Sequence, residues 1–89
     1  MSFIIHYEDE ALKTLKKINK RDRERLTVAL ELLRTDPTPT KSKKLVGYNY
    51  RSVRVGNYRI VYYLRNQEFV VVVVRVDHRS KVFIGLPPR

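Results

Sequence analysis

The chain has 89 residues, enough for one domain with a single modest core, and 43% of them are hydrophobic, which excludes a disordered tail. It has no cysteine, so disulfides and thiolate chemistry are excluded as well. Its net charge of +10 is uneven: residues 1–40 hold 8 Lys and Arg against 7 Asp and Glu, whereas residues 41–89 hold 11 against 2.

A neutral half joined to a strongly basic half implies a polyanionic partner for the second half. "MSFIIHYEDE" has no long apolar stretch and turns acidic at once, so no signal peptide is expected. The longest apolar run, "FVVVVV", is far too short to cross a bilayer. The expectation is a soluble, cytoplasmic protein with no membrane partner, organised as one domain over residues 1–89.

"FIIHY" suits a first strand. "EDEALKTLKKINK" follows with Leu12, Leu15 and Ile18 at helical spacing and Ala11 beside them; its acids come first and its lysines later, as the helix dipole favours. "RDRERLTVALELLR" predicts a second helix with Leu26, Ala29, Leu30 and Leu33 on one stripe. The two prolines of "TDPTPT" stop it, and "KSKKLVG" reads as a basic, exposed connection. From Tyr48 the period changes to two: "YNYRSVRV", "YRIVYYLR" and "FVVVVVRV" predict three strands. The fold class is therefore α+β, in the order β-α-α-β-β-β. A helical hairpin should pack on one face of a mostly antiparallel four-stranded sheet.

Gly56-Asn57 is a two-residue hairpin signal and fixes a register, with Val55 facing Tyr58, Arg54 facing Arg59, Val53 facing Ile60 and Ser52 facing Val61. Alternation then places Val53, Val55, Tyr58, Ile60, Tyr62, Leu64, Phe69, Val71 and Val73 under the helices. The other face carries Tyr48, Tyr50, Ser52, Arg54, Arg59, Val61, Tyr63 and Arg65. Tyrosines interleaved with arginines on an uncovered sheet can stack bases and bind phosphates. Arg54 and Arg59, directly opposite, should repel until an anion bridges them.

In the tail, "DHRSKVF" puts His78 and Arg79 just after the last strand, and His78 is the candidate acid–base group. His6, on an apolar strand, reads as structural. No Cys/His or carboxylate set for a metal is visible, so no cofactor is expected. No glycine-rich phosphate loop exists, and two acids in the second half, Glu68 and Asp77, argue against a paired-carboxylate hydrolase.

"KKLVGYNYRSVRVGNYRIVYYL", followed by "VDHRSKVF", resembles the RelE/ParE superfamily of toxin–antitoxin toxins along essentially the whole chain, and more closely the RelE branch. The resemblance implies a RelE-like microbial RNase fold and a toxin that cleaves mRNA on the ribosome without a metal. The ParE branch, which inhibits DNA gyrase, and a non-catalytic RNA-binding module are the alternatives. It implies attack of the RNA 2′-hydroxyl on the adjacent phosphate, with Arg59 and Arg79 stabilising the phosphorane, Arg54 positioning the phosphate and His78 transferring protons. Tyr50 and Tyr63 would stack splayed bases, and Arg51, Arg65, Lys43, Lys44, Lys81 and Phe83 complete the RNA-binding set. Ser52 replaces a family basic position and Phe83 a family tyrosine. The implied partners are a cognate acidic antitoxin, the ribosome with its mRNA, and operator DNA through the toxin–antitoxin complex.

Overall fold

The computed structural model describes residues 2–86. After β1 (Ile4–Tyr7), two helices form, α1 (Asp9–Lys17) and α2 (Lys20–Thr35). Asp9 and Glu10 sit in the first turn of α1 and Lys16 and Lys17 in the last, each against the dipole end of opposite sign. Asn19 caps α2: its side chain accepts the Asp22 N–H at 2.9 Å and donates to the Asp22 carboxylate at 2.8 Å. Ala11, Ile18, Leu26, Leu30 and Leu33 are buried, with Leu15 packed against them. Leu12, expected on the α1 stripe, is instead exposed, because Ala11, Leu15 and Ile18 define the inward face at a spacing of four and three.

The sheet has five strands in the order β1-β5-β4-β3-β2, comprising β2 (Lys43–Lys44), β3 (Arg51–Val55), β4 (Tyr58–Arg65) and β5 (Val70–His78). β1 runs parallel to β5, and every other neighbour is antiparallel. The α+β class stands, while the count of four strands is corrected to five. Part of the expected connection is an edge strand, Lys43 and Lys44 pairing with Ser52 and Arg51. Two lysines on so short an edge also discourage further strand addition.

The β3–β4 register is as expected, from Val55 opposite Tyr58 to Ser52 opposite Val61. Gly56 takes φ +60° while Asn57 keeps a negative φ, the glycine-first form of two-residue hairpin. A Cβ on Gly56 would also meet the Arg25 guanidinium at 3.4 Å. Gly56→Ala is therefore expected to cost about 1–2 kcal/mol of stability for the left-handed backbone alone, read as a lower urea midpoint at unchanged slope.

One irregularity decides the site. Tyr62 pairs with Val73 but Val61 pairs with Arg75, so Val74 is an extra residue in β5. This bulge shifts the alternation by one. Val76 joins Ile60 under the helices, Asp77 falls opposite Arg59, and His78 falls opposite Tyr58.

The helix-facing core comprises Val53, Ile60, Tyr62, Val71, Val73 and Val76 with the helical leucines, and Val55, Tyr58 and Leu64 pack at its margin. Phe69 lies outside it, 44% exposed and edge-on to Phe3. A second core occupies the opposite face: Tyr50, Val61, Tyr63, Val72, Val74 and Val82, with Leu45, Val70 and Leu86 against them. The uncovered tyrosine–arginine face expected from the sequence is thereby corrected. Central strands that are apolar on both faces need cover on both. The tail supplies Val82 and Leu86, and the β2–β3 loop supplies Leu45 and Tyr50.

Burial raises two tyrosines above the ordinary value of about 10: Tyr62, partly offset by the Ser42 hydroxyl and the Arg51 guanidinium, and Tyr7, reinforced by Glu31. The folded chain then holds these phenolic protons more tightly than the unfolded one. Their contribution to stability is fully present below about pH 10 and is lost as pH rises through the folded values. Urea midpoints measured at about pH 9 and about pH 11 should show the drop.

Candidate nucleic-acid interface

β3 and β4 hold Arg54 and Arg59 opposite one another on the face away from the helices. The pair does not confront itself as expected. Arg54 is exposed and turns toward the hairpin, its Nε donating to the Gly56 carbonyl at 2.9 Å. Arg59, half-buried, turns the other way, its Nη1 donating to Ser52 Oγ at 3.5 Å. The two guanidinium groups diverge along the strands, which relieves the repulsion without an anion. Asp77, the register partner of Arg59 on β5, adds a carboxylate on the same row. Its Oδ1 accepts the His78 backbone N–H at 2.7 Å.

The tail starts from the same end of the sheet, where the Arg79 backbone N–H donates to the Asn57 carbonyl at 2.8 Å. It then crosses the second core, with Val82 fully buried and Lys81 and Phe83 exposed. Arg75 anchors this crossing by donating to the carbonyls of Val82 and Ile84. Lys81 shares a shallow depression with Glu10, Thr14, Arg75, Asp77 and Ile84. Lys43, opposite Ser52 on β2, lies on the same face of the sheet as Arg59.

Several expected site residues lie elsewhere. His78 shares the row of Tyr58, on the face opposite Arg59, with the two rings edge-on at 6.2 Å. Its Nδ1 accepts the Ser80 N–H at 3.2 Å and meets Ser80 Oγ at 2.8 Å, which places the neutral ring's proton on Nε2. Its expected partnership with Arg59 is corrected by the bulge. Tyr50 is fully buried and Tyr63 nearly so, the two rings 6.3 Å apart. Their expected role as base-stacking platforms is corrected, because no ring face is open to a base. Tyr48 is the exposed member of the group, stacked on Tyr50 at 6.0 Å.

Arg51 has the parity of Val53 and lies on the helix side, its Nη2 donating to the buried Ser42 Oγ at 3.0 Å beneath the proline-containing loop. Lys44, its register partner, shares that side, so neither lies on the Arg59 face. Arg65 is six residues along β4 from Arg59, about 20 Å away at the rise of a strand. There it lies over the Tyr63 ring at 5.9 Å and pairs with Glu68 at 3.8 Å. The face thus brings together Arg54, Arg59 and Lys43, with Asp77 among them and Arg79 beginning at its rim. Asp77 escaped the sequence reading because a run of five valines carries no alternation by which a bulge could be seen. Among the described residues no cluster of His, Asp or Glu has the makings of a metal site.

A family model described as the ParE toxin of type II toxin–antitoxin system, parDE, matches residues 5–83. Among solved structures, the chain is similar to the Mycobacterium tuberculosis RelBE2 toxin–antitoxin complex, at 26% identity and TM-score 0.76, covering 89% of this chain and 100% of that one. It is similar to the RelB–RelE complex of Methanococcus jannaschii, at 26% identity and TM-score 0.72, covering 92% and 99%. The isolated E. coli RelE toxin gives 25% identity and TM-score 0.78, covering 86% and 84%. No curated protein matches the chain. Since the family match runs from the first strand through the arginine hairpin to Phe83 in the tail, the chain belongs to the ParE toxin family of type II toxin–antitoxin systems, within the RelE/ParE superfamily.

Proposed function

We propose that the protein is a toxin that cleaves mRNA on the ribosome and is held inactive by a cognate acidic antitoxin. The observation that carries the reading is the Arg54–Arg59 pair. These are two arginines in register on one face, neither ion-paired, at the root of a cationic tail. The RNA 2′-hydroxyl attacks the adjacent phosphorus, the P–O5′ bond breaks, and a 2′,3′-cyclic phosphate and a 5′-hydroxyl are left. Arg59 stabilises the charge that develops on the phosphorane, and Arg54 and Arg79 hold the phosphate. Arginine stays protonated and is a poor proton acceptor. Asp77, on the row of Arg59, takes the 2′-hydroxyl proton, and a solvent water protonates the departing 5′-oxygen.

The partner follows from charge and from the RelB–RelE complexes to which the chain is similar. An acidic segment, disordered alone, folds onto a +10 toxin. The test is induction of the toxin in cells with mRNA ends mapped against the reading frame. Cuts in phase with codons are expected. Arg59→Ala should lower their rate about a hundred- to a thousand-fold, as removal of one oxyanion donor does, with the fold intact by circular dichroism. A second reading, inhibition of DNA gyrase, is favoured by the ParE description of the matching family model. Intact mRNA together with DNA damage on induction would select it.

A further inference from the structure

The Gly56–Asn57 turn is gripped by arginines from both sides of the sheet. From the helix side comes Arg25 of α2, outside the set expected from the sequence. Its Nη1, Cζ and Nη2 stand 3.4, 3.6 and 3.6 Å from where a Cβ on Gly56 would lie, so the guanidinium plate rests against the turn. From the other side, Arg54 Nε donates to the Gly56 carbonyl. Arg79 leaves from the same turn through its backbone bond to the Asn57 carbonyl. All three side chains are exposed. None of the three takes part in the ion pairs Arg34–Glu31 and Arg65–Glu68.

We infer that Arg25 extends the phosphate-binding site around this hairpin tip and takes the RNA backbone one position beyond the phosphate that Arg54 and Arg79 hold. Three cations around a two-residue turn, with no carboxylate paired to any of them, are left for a polyanion to neutralise. Guanidinium forks suit phosphate oxygens better than point charges do. The Arg25 plate lies over Gly56 at the distance of an ordinary van der Waals contact with a Cβ there, so the group stands at the turn before the ligand arrives. A peptide partner would need an apolar anchor at this point. The turn offers none, since Gly56 and Asn57 are its exposed residues and Val55 and Tyr58 are half-buried. A phosphate backbone needs none. A strand engaged at Arg59 on one face therefore continues around the tip to Arg25 on the other. The inference rests on the RNA-directed reading above and extends its site by one turn of α2.

The test uses the full chain and a fluorescent single-stranded RNA methylated at every 2′-oxygen, which binds but lacks the attacking hydroxyl. Affinity is measured across a sodium chloride series. Arg25→Gln should weaken binding and make the slope of log K against log salt shallower by about 0.7, the loss of one single-strand phosphate contact. Arg23→Gln, the same charge change two residues away and so on another side of α2, should keep the wild-type slope. Arg25→Lys, which keeps the charge and loses the fork, should keep the slope and lower the affinity. Equal slopes for Arg25→Gln and Arg23→Gln overturn the inference. So does an Arg25→Gln protein that binds RNA normally but loses its acidic antitoxin, which would make the tip a protein contact. Because this RNA cannot be cut, the result is independent of the nuclease. An Arg25-dependent slope in a protein that cuts no mRNA on ribosomes keeps the tip site and removes the nuclease reading. Codon-phased cutting with an Arg25-independent slope does the reverse.

Discussion

Asp77→Asn is expected to lower cleavage of ribosome-bound mRNA about a hundred- to ten-thousand-fold, the contribution of a positioned general base, while ribosome binding stays near wild type. His78→Ala is expected to stay within about tenfold of wild type, below that range. The difference follows from the bulge. Asp77 shares the row of Arg59, whereas His78 lies edge-on to Tyr58 on the other face with its Nδ1 turned to Ser80. Single-turnover cleavage with each variant separates proton transfer from binding. If His78→Ala shows the large loss and Asp77→Asn the small one, the assignment of the base to Asp77 is wrong, and the imidazole reaches the RNA around the sheet's end.

The largest expected effect on stability is that of Tyr50→Ala. Tyr50 is fully buried between Tyr48 and Tyr63 and packs with Val61, Val72, Val74 and Val82. Truncating a buried aromatic costs about 3–5 kcal/mol. A domain of this length has a total stability of roughly 4–13 kcal/mol, so the variant should unfold at low urea or fail to accumulate. Tyr50→Phe keeps the ring and should cost about 0.5–1.5 kcal/mol, the worth of one hydrogen bond. Both are measured by urea denaturation followed by circular dichroism. A Tyr50→Ala protein of wild-type stability that no longer binds RNA would return the residue to the stacking role its position in the sequence implied.

The parts of this fold that were legible from sequence are those marked by local chemistry. Gly56-Asn57 set the hairpin register without error, and the register alone sorted Val53, Ile60 and Tyr62 from Arg54 and Arg59. Asp9, Glu10, Lys16, Lys17 and the prolines after Thr35 marked the helices. What stayed hidden had no local mark. Five consecutive valines look alike from either face, so neither the bulge at Val74 nor its effect on Asp77 and His78 could be read. The second core was hidden for a related reason. Tyr50 and Tyr63 have a polar end and an apolar body, and only the tail crossing them decides which is used. Arg25 came to the hairpin by helix packing, a contact 31 residues away in the chain that no spacing rule predicts.

The bulge also makes the strand asymmetric toward changes of length. Deleting any one of the five valines gives the same shortened chain, because they are identical and adjacent. The pairs from Arg65–Val70 to Tyr62–Val73 could all be kept, with Arg75 following directly and still opposite Val61. Asp77 would stay beside Arg59 and Val76 under the helices, at the expense of one buried valine in the second core. Adding a sixth valine has no such remedy. If the bulge stayed, every side chain beyond it would change faces, sending Asp77 inward and Val76 out. If it flattened, the faces would be kept but the strand would slide two places, setting Arg75 opposite Arg59 and carrying Asp77 past the end of β4. Descendants of this gene should therefore tolerate a lost codon in the valine run far better than a gained one.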